Sequence, residues 1–185
     1  IRAFNNGELE ALCISTQTLT PDAWLSKYPI VSYQNVAISL KERGLDIAST
    51  NDFKDLNVIG FNSAREMLPQ EFSDAINEAL LYRELIEQEE QVLALFNGEA
   101  DVIVMEQTLF RYFLSRLRHS EPNNPALHLP YHIDHIFPQS VYYAAFKNEP
   151  LRDRFDQALG IMLENGSVEA IKRNYARLLS DYLFQ

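Results

Sequence analysis

Apolar positions along this chain change period repeatedly, from the alternation of strands to the three-and-four spacing of helices. Short apolar runs at 33–40, 57–61, 80–85, 100–105 and 141–146 have the length and composition of strands. Between them, Val92, Leu93, Leu95 and Phe96 mark a helix beginning near Glu87, and Leu109, Phe113 and Leu117 line one face of a helix over 108–118. A capped helical turn is expected over 51–56, and a helix from about Ala64. Pro122, Asn123, Asn124 and Pro125 form the clearest loop. Two helices close the chain, the first stopping at Asn165 and Gly166, the second running from Ser167 towards Leu183. Strands alternating with helices predict an α/β architecture with largely parallel sheets.

One local pattern occurs twice. Phe4, Asn5, Asn6, Gly7 and Glu8 lead into Leu9, Glu10, Ala11 and Leu12, and Phe96, Asn97, Gly98 and Glu99 lead into Ala100, Asp101, Val102, Ile103 and Val104. Asn and Gly tolerate the left-handed conformation that stops a helix, and an apolar run of strand length follows each time. Each copy is therefore expected to be a helix end followed by a strand. Only Ile1, Arg2 and Ala3 precede the first copy, so the chain is read as opening in the last turn of a helix whose earlier residues lie upstream.

Composition narrows the function classes. With 185 residues and 46% hydrophobic content the chain can bury one good core or two small ones. A formal net charge of -10, with no local cluster of Lys or Arg, argues against a nucleic-acid partner. Cys13 is the single cysteine, which rules out a disulfide framework, and its apolar neighbours suggest a small core residue. No apolar stretch has the length of a membrane span, and any export signal is expected upstream of Ile1.

The order of segments resembles the type 2 periplasmic binding proteins, specifically the polar amino-acid-binding family of ABC transporters, bacterial extracellular solute-binding protein family 3. Four stretches carry the likeness: Asn6-Gly7-Glu8-Leu9-Glu10-Ala11-Leu12 leading to Thr16-Gln17-Thr18-Leu19-Thr20-Pro21; Val58-Ile59-Gly60-Phe61-Asn62-Ser63; Asn97-Gly98-Glu99-Ala100-Asp101-Val102-Ile103-Val104-Met105-Glu106; and Tyr143-Ala144-Ala145-Phe146-Lys147 with the helices after it. The resemblance implies a two-lobed fold in which the chain crosses twice, near 36–39 and near 140–144. Residues 1–36 and 141–185 would form part of the first lobe, and 37–140 a complete second lobe. It further implies a periplasmic or extracytoplasmic location, a small polar, amino-acid-like solute held between the lobes, a membrane permease as partner, and no cofactor or catalysis. A homodimer is expected if the first lobe lacks units, since an open sheet edge invites pairing.

Candidate ligand contacts follow from the same resemblance. Thr16 and Thr18 match positions that contact a ligand carboxylate, although a Thr-rich segment after a strand also suits a turn. Asn62 and Ser63 lie between a strand and a helix, where N–H groups favour an anion, and Ser63 also suits a helix cap. Glu106 matches the acid that receives the ligand's ammonium, and equally suits the first turn of the next helix. The basic residue that clamps the carboxylate in the family is replaced by Ala23, beside Asp22 and Trp24, and Arg65 is the cation that could substitute for it. Trp24 and Phe61 are aromatic-wall candidates whose ordinary place is a core.

Other chemistries leave weaker traces. His128, His132, Asp134 and His135 are zinc-type ligands, but Pro130 and Pro138 point to an extended connection, and no metal is assigned. A dehydratase-like enzyme rests on Glu106 alone. The input domain of a membrane signalling receptor would use the same solute-binding module, and neighbouring domains would separate it from a transporter subunit.

Overall fold

A computed structural model describes residues 1–178. The part of the last helix expected towards Leu183 lies outside the described residues. The described chain divides into two compact units, the first made of residues 1–33 and 139–178, the second of residues 34–138. The first stretch carries α1 (Arg2–Asn5), β1 (Ala11–Ser15), β2 (Trp24–Leu25) and β3 (Val31–Tyr33). The second unit runs β4 (Asn35–Leu40), β5 (Asn57–Phe61), α2 (Ala64–Met67), α3 (Gln70–Ala75), β6 (Leu81–Leu85), α4 (Gln88–Phe96), β7 (Val102–Glu106), α5 (Gln107–Ser120) and β8 (Tyr131–Asp134). The chain ends with β9 (Ser140–Phe146), α6 (Glu149–Glu164) and α7 (Ser167–Leu178). Among the described residues no helix is long and apolar enough to cross a membrane.

The second unit is a five-stranded sheet of order β6-β5-β7-β4-β8 with cores on both faces. Alternation along β7 explains the layering: Ile103 and Met105 join Val92, Leu95, Phe110 and Leu114 on one side, while Val102 and Val104 join Phe53, Phe72 and Phe137 on the other. Strands buried on both faces read as continuous apolar runs, which is why 57–61 and 100–105 were legible as strands. β5 is parallel to both β6 and β7, whereas β4 runs antiparallel to β7 and β8. Asp101 fastens the start of this sheet: it is buried, accepts the Asn57 N–H at 2.8 Å and pairs with Arg43.

The first unit departs from the parallel expectation. Its strands β1, β2 and β3 all pair antiparallel with β9. The reason is connectivity, because β9 returns from the second unit rather than through a helical crossover. α6 lies against β9 and β2, with the Phe146 and Phe155 rings 5.0 Å apart and the Arg152 guanidinium 5.3 Å from the Trp24 ring. Cys13, expected in a core, is exposed on β1, which the sheet pairs only to β9.

The repeated Asn-Gly motif folds the same way in both units. Gly7 and Gly98 take left-handed φ values of 80° and 75°. Glu8 N–H donates to Ala3 C=O and Glu99 N–H to Ala94 C=O, each at 2.9 Å, closing the helix end. Gly166 repeats the left-handed stop at the end of α6. The helix expected from Ala64 breaks after Met67 and resumes at Gln70, because Pro69 cannot continue it.

Candidate functional site

In the second unit, β5, β6, β7 and β8 all end at one edge of the sheet, and β4 begins there opposite Glu106. Ligands of open α/β sheets gather at carboxyl edges of strands, since loops and helix N-termini converge there. The chain enters this unit at Gln34 and leaves it near Phe137, and Gln34 ties the two passages together by donating from Nε2 to the Phe137 carbonyl at 2.9 Å. Gln34 C=O accepts the Gln107 N–H at 3.0 Å, so it also anchors the start of α5. Sequence reasoning missed Gln34, whose role depends on residues far away in the chain.

Glu106 lies at the end of β7 and caps α5. One carboxylate oxygen accepts the N–H groups of Thr108 and Leu109 at 2.7 and 2.9 Å, and the other accepts the Thr108 hydroxyl at 3.1 Å. Glu106 as a residue is half-buried, and the hydrogen bonds of its carboxylate lie on the exposed side.

Asn62, Ser63 and Arg65 follow β5 on the same edge. Asn62 is exposed, with no side-chain hydrogen bond among the described residues. Ser63 adopts a left-handed backbone, φ 67°, which turns its N–H towards β6. There Glu84 receives it: the Glu84 carboxylate accepts the Ser63 N–H at 2.7 Å, the Arg65 N–H at 2.9 Å and the Tyr82 hydroxyl at 2.8 Å. Burial raises the Glu84 carboxyl, but the Arg65 N–H, the Tyr82 hydroxyl, the Ser63 N–H and the Arg65 charge together outweigh it and hold it below its ordinary range. The Tyr82 phenol is pushed up by burial and further by its bond to Glu84. Arg65 directs its guanidinium to Asn77 Oδ1 at 3.0 Å and over the Tyr82 ring at 5.4 Å.

Gly60 makes this arrangement sterically feasible. A Cβ there would come within 2.7 Å of the Tyr82 hydroxyl and 3.0 Å of Ala64 Cβ. Neither Tyr82 nor Glu84 was singled out from sequence, although two signals were present: a glycine inside an apolar strand, and a Tyr and Glu two apart on one strand face.

In the first unit, Thr16 is committed to a turn, its Oγ1 accepting the Leu19 N–H at 3.3 Å and its carbonyl the Thr20 N–H at 3.1 Å. Thr18 is exposed, with no side-chain hydrogen bond among the described residues. Ala23 N–H closes the same turn on the Thr20 carbonyl at 3.1 Å. Trp24 is partly exposed beneath Arg152, whereas Phe61 packs against the second unit's core.

Of the His-rich stretch, His132 and Asp134 lie on edge strand β8, His132 opposite Ser39, while His128 ends a short 3-10 turn before it and His135 begins the connection after it. Among the described residues no three His, Cys, Asp or Glu side chains gather in a metal-holding group.

No family model and no curated protein matches the sequence. Solved structures do match. An amino acid ABC transporter substrate-binding protein from Streptococcus pneumoniae, bound to L-arginine, is 15% identical with a TM-score of 0.68, the match covering 100% of this chain and 73% of that one. An ancestral arginine-binding protein bound to arginine is 19% identical with a TM-score of 0.67, covering 94% and 74%. An ancestral amino acid-binding protein, described as a precursor of cyclohexadienyl dehydratase, is 14% identical with a TM-score of 0.63, covering 98% and 72%. Likeness at such low identity speaks for architecture, and with the two units described above it establishes that this chain has the α/β fold of the type 2 periplasmic, amino-acid substrate-binding proteins.

Proposed function

We propose that this chain binds a small polar solute and delivers it, outside the cytoplasm, to a membrane transporter. The observation that carries the reading is the carboxyl edge of the second unit, where Glu106, Asn62 and the Ser63 turn stand together on parallel neighbouring strands. It is supported by structural neighbours that are substrate-binding proteins of ABC transporters. Glu106 takes a cationic or donor group of the solute while keeping α5 capped, since a carboxylate has lone pairs for both tasks. Asn62 offers a carboxamide from the next strand. On the first unit, Thr18 is the candidate contact, and Thr16 serves to shape its turn. The activity is read as binding rather than turnover, after structural neighbours that are substrate-binding proteins.

Calorimetry with Glu106→Ser and Glu106→Ala tests the assignment. Serine is itself a good N-cap, so Glu106→Ser keeps the helix end while removing the carboxylate, whereas Glu106→Ala loses about 0.5–2 kcal/mol of stability as well. Both variants are expected to lose solute binding by about tenfold or more, as a charge-assisted bond requires. Solute binding by Glu106→Ser equal to wild type reduces Glu106 to a capping residue. Thr18→Val, measured separately, tests the first unit's contact.

A further inference from the structure

The five-stranded sheet of the second unit has two edges, and they are built differently. At one edge, β8 is introduced by Pro130, carries the exposed His132 and the charged Asp134, and is followed by Pro138. Proline and charge guard an edge against strand addition, since the first removes a donor and the second resists burial. At the other edge, β6 has neither a proline nor a lysine, and it pairs with β5 over five consecutive residues without a bulge. Among the described residues β6 pairs only with β5, so its outer N–H and C=O groups face no strand. We infer that this outer edge is an interface with a second copy of this chain, which extends the sheet by antiparallel pairing of β6 with β6. The inference is independent of the solute-binding reading.

The residues along this edge select that occupant. Leu80 is 69% exposed, Leu81 54% and Ile86 78%, so aliphatic side chains stand in solvent at both ends of the strand. The run from Leu80 to Ile86 is apolar at both ends and centred on Arg83. An antiparallel copy in register about Arg83 therefore sets Leu80 against Ile86, Leu81 against Leu85 and Tyr82 against Glu84. Opposed residues of an antiparallel pair must point to the same face of the sheet, and this register obeys the rule. Leu85 belongs with the core on one face and Tyr82 with the core on the other, so by alternation Leu81 goes with Leu85 and Glu84 with Tyr82. Charge does not guard the edge either. Arg83 is held by Glu99 at 3.2 Å, and Glu84 by the N–H groups of Ser63 and Arg65, so at the two-fold axis each Arg83 arrives with its own acid. The edge is short beside the roughly 800 Å² per partner of a standard stable interface, and the association is accordingly reversible.

Sedimentation of the full chain from about 1 to about 200 μM is expected to show a monomer–dimer equilibrium with a midpoint on the order of tens of micromolar. Leu81→Lys and Ile86→Lys place a charge on the edge at exposed positions, so they are expected to keep the circular dichroism of wild type and to raise that midpoint about tenfold or more. Register is read by cross-linking in a Cys13→Ser background, because Cys13 is itself exposed. Arg83→Cys sets two thiols opposite each other with Cα atoms about 4.5–5.5 Å apart, within disulfide reach, and is expected to form a covalent dimer on mild oxidation. Leu81→Cys leaves its thiols offset by about 13 Å along the strands and is expected not to cross-link. A chain that sediments as a monomer throughout the range overturns the inference. So does a dimer that survives both lysine variants, or one in which Leu81→Cys cross-links as readily as Arg83→Cys.

Discussion

Gly60 shows how one missing side chain can organise a site. The Tyr82 hydroxyl lies where a Cβ on residue 60 would be, so Gly60→Ala must push the Tyr82 ring or the Ala64 turn aside. The expected outcome is a loss of about 1–3 kcal/mol, read from denaturant midpoints, with the Tyr82 to Glu84 bond weakened. Glu84 itself ties stability to pH. Its folded-state carboxyl is held below the ordinary range, so its contribution is complete above the unfolded value of about 4.3 and is lost as pH falls through the folded value. Wild type should therefore lose stability more steeply than Glu84→Gln between about pH 5 and about pH 3. Parallel acid limbs for the two proteins would show that the Glu84 bonds do not form in solution.

At the scale of elements, α4 carries an oddity that its apolar spacing concealed. Gln91 sits fully buried on this helix, and neither its Nε2 nor its Oε1 has a partner among the described residues. A carboxamide stripped of water without compensation is destabilising, and leucine has nearly the same volume. Gln91→Leu is expected to raise stability by about 1–3 kcal/mol, measured by thermal and denaturant unfolding; a lower midpoint would mean that Gln91 finds a partner. The neighbouring helix α5 illustrates the opposite case. Glu106, Thr108 and Leu109 form a complete N-cap, so this helix start was readable as a first-turn acid even before any solute role was considered.

For the whole molecule, the second unit has the features of an independent folding domain: cores on both faces of its sheet, and entry and exit passages joined through Gln34 and Phe137. A fragment of residues 34–138 is expected to unfold in one cooperative transition with mixed α/β circular dichroism. A gradual, non-cooperative melt would show that the division at Gln34 and Pro138 does not mark a domain. The first unit gives no matching expectation, because α6 and α7 contain no buried residue among those described.

What the sequence determined by itself was local. Helix stops at Asn6-Gly7, Asn97-Gly98 and Asn165-Gly166 need only a left-handed glycine, and strands such as 57–61 and the one expected over 100–105, which forms over 102–106, need only an apolar run bounded by turns. The break at Pro69 was equally local and could have been read from the proline alone. Tertiary structure decided whatever depended on register between distant strands. The antiparallel pairing of β9 with β1, β2 and β3 joins residues more than a hundred positions apart along the chain, and no pattern within β1 distinguishes it from a parallel strand. The Glu84 arrangement is of the same kind: Glu84 meets Ser63 only because β6 pairs with β5 in the register that sets Gly60 against Glu84. A donor's availability to a solute depends on what the folded chain has already bound to it, and that is a property of packing rather than of residue type.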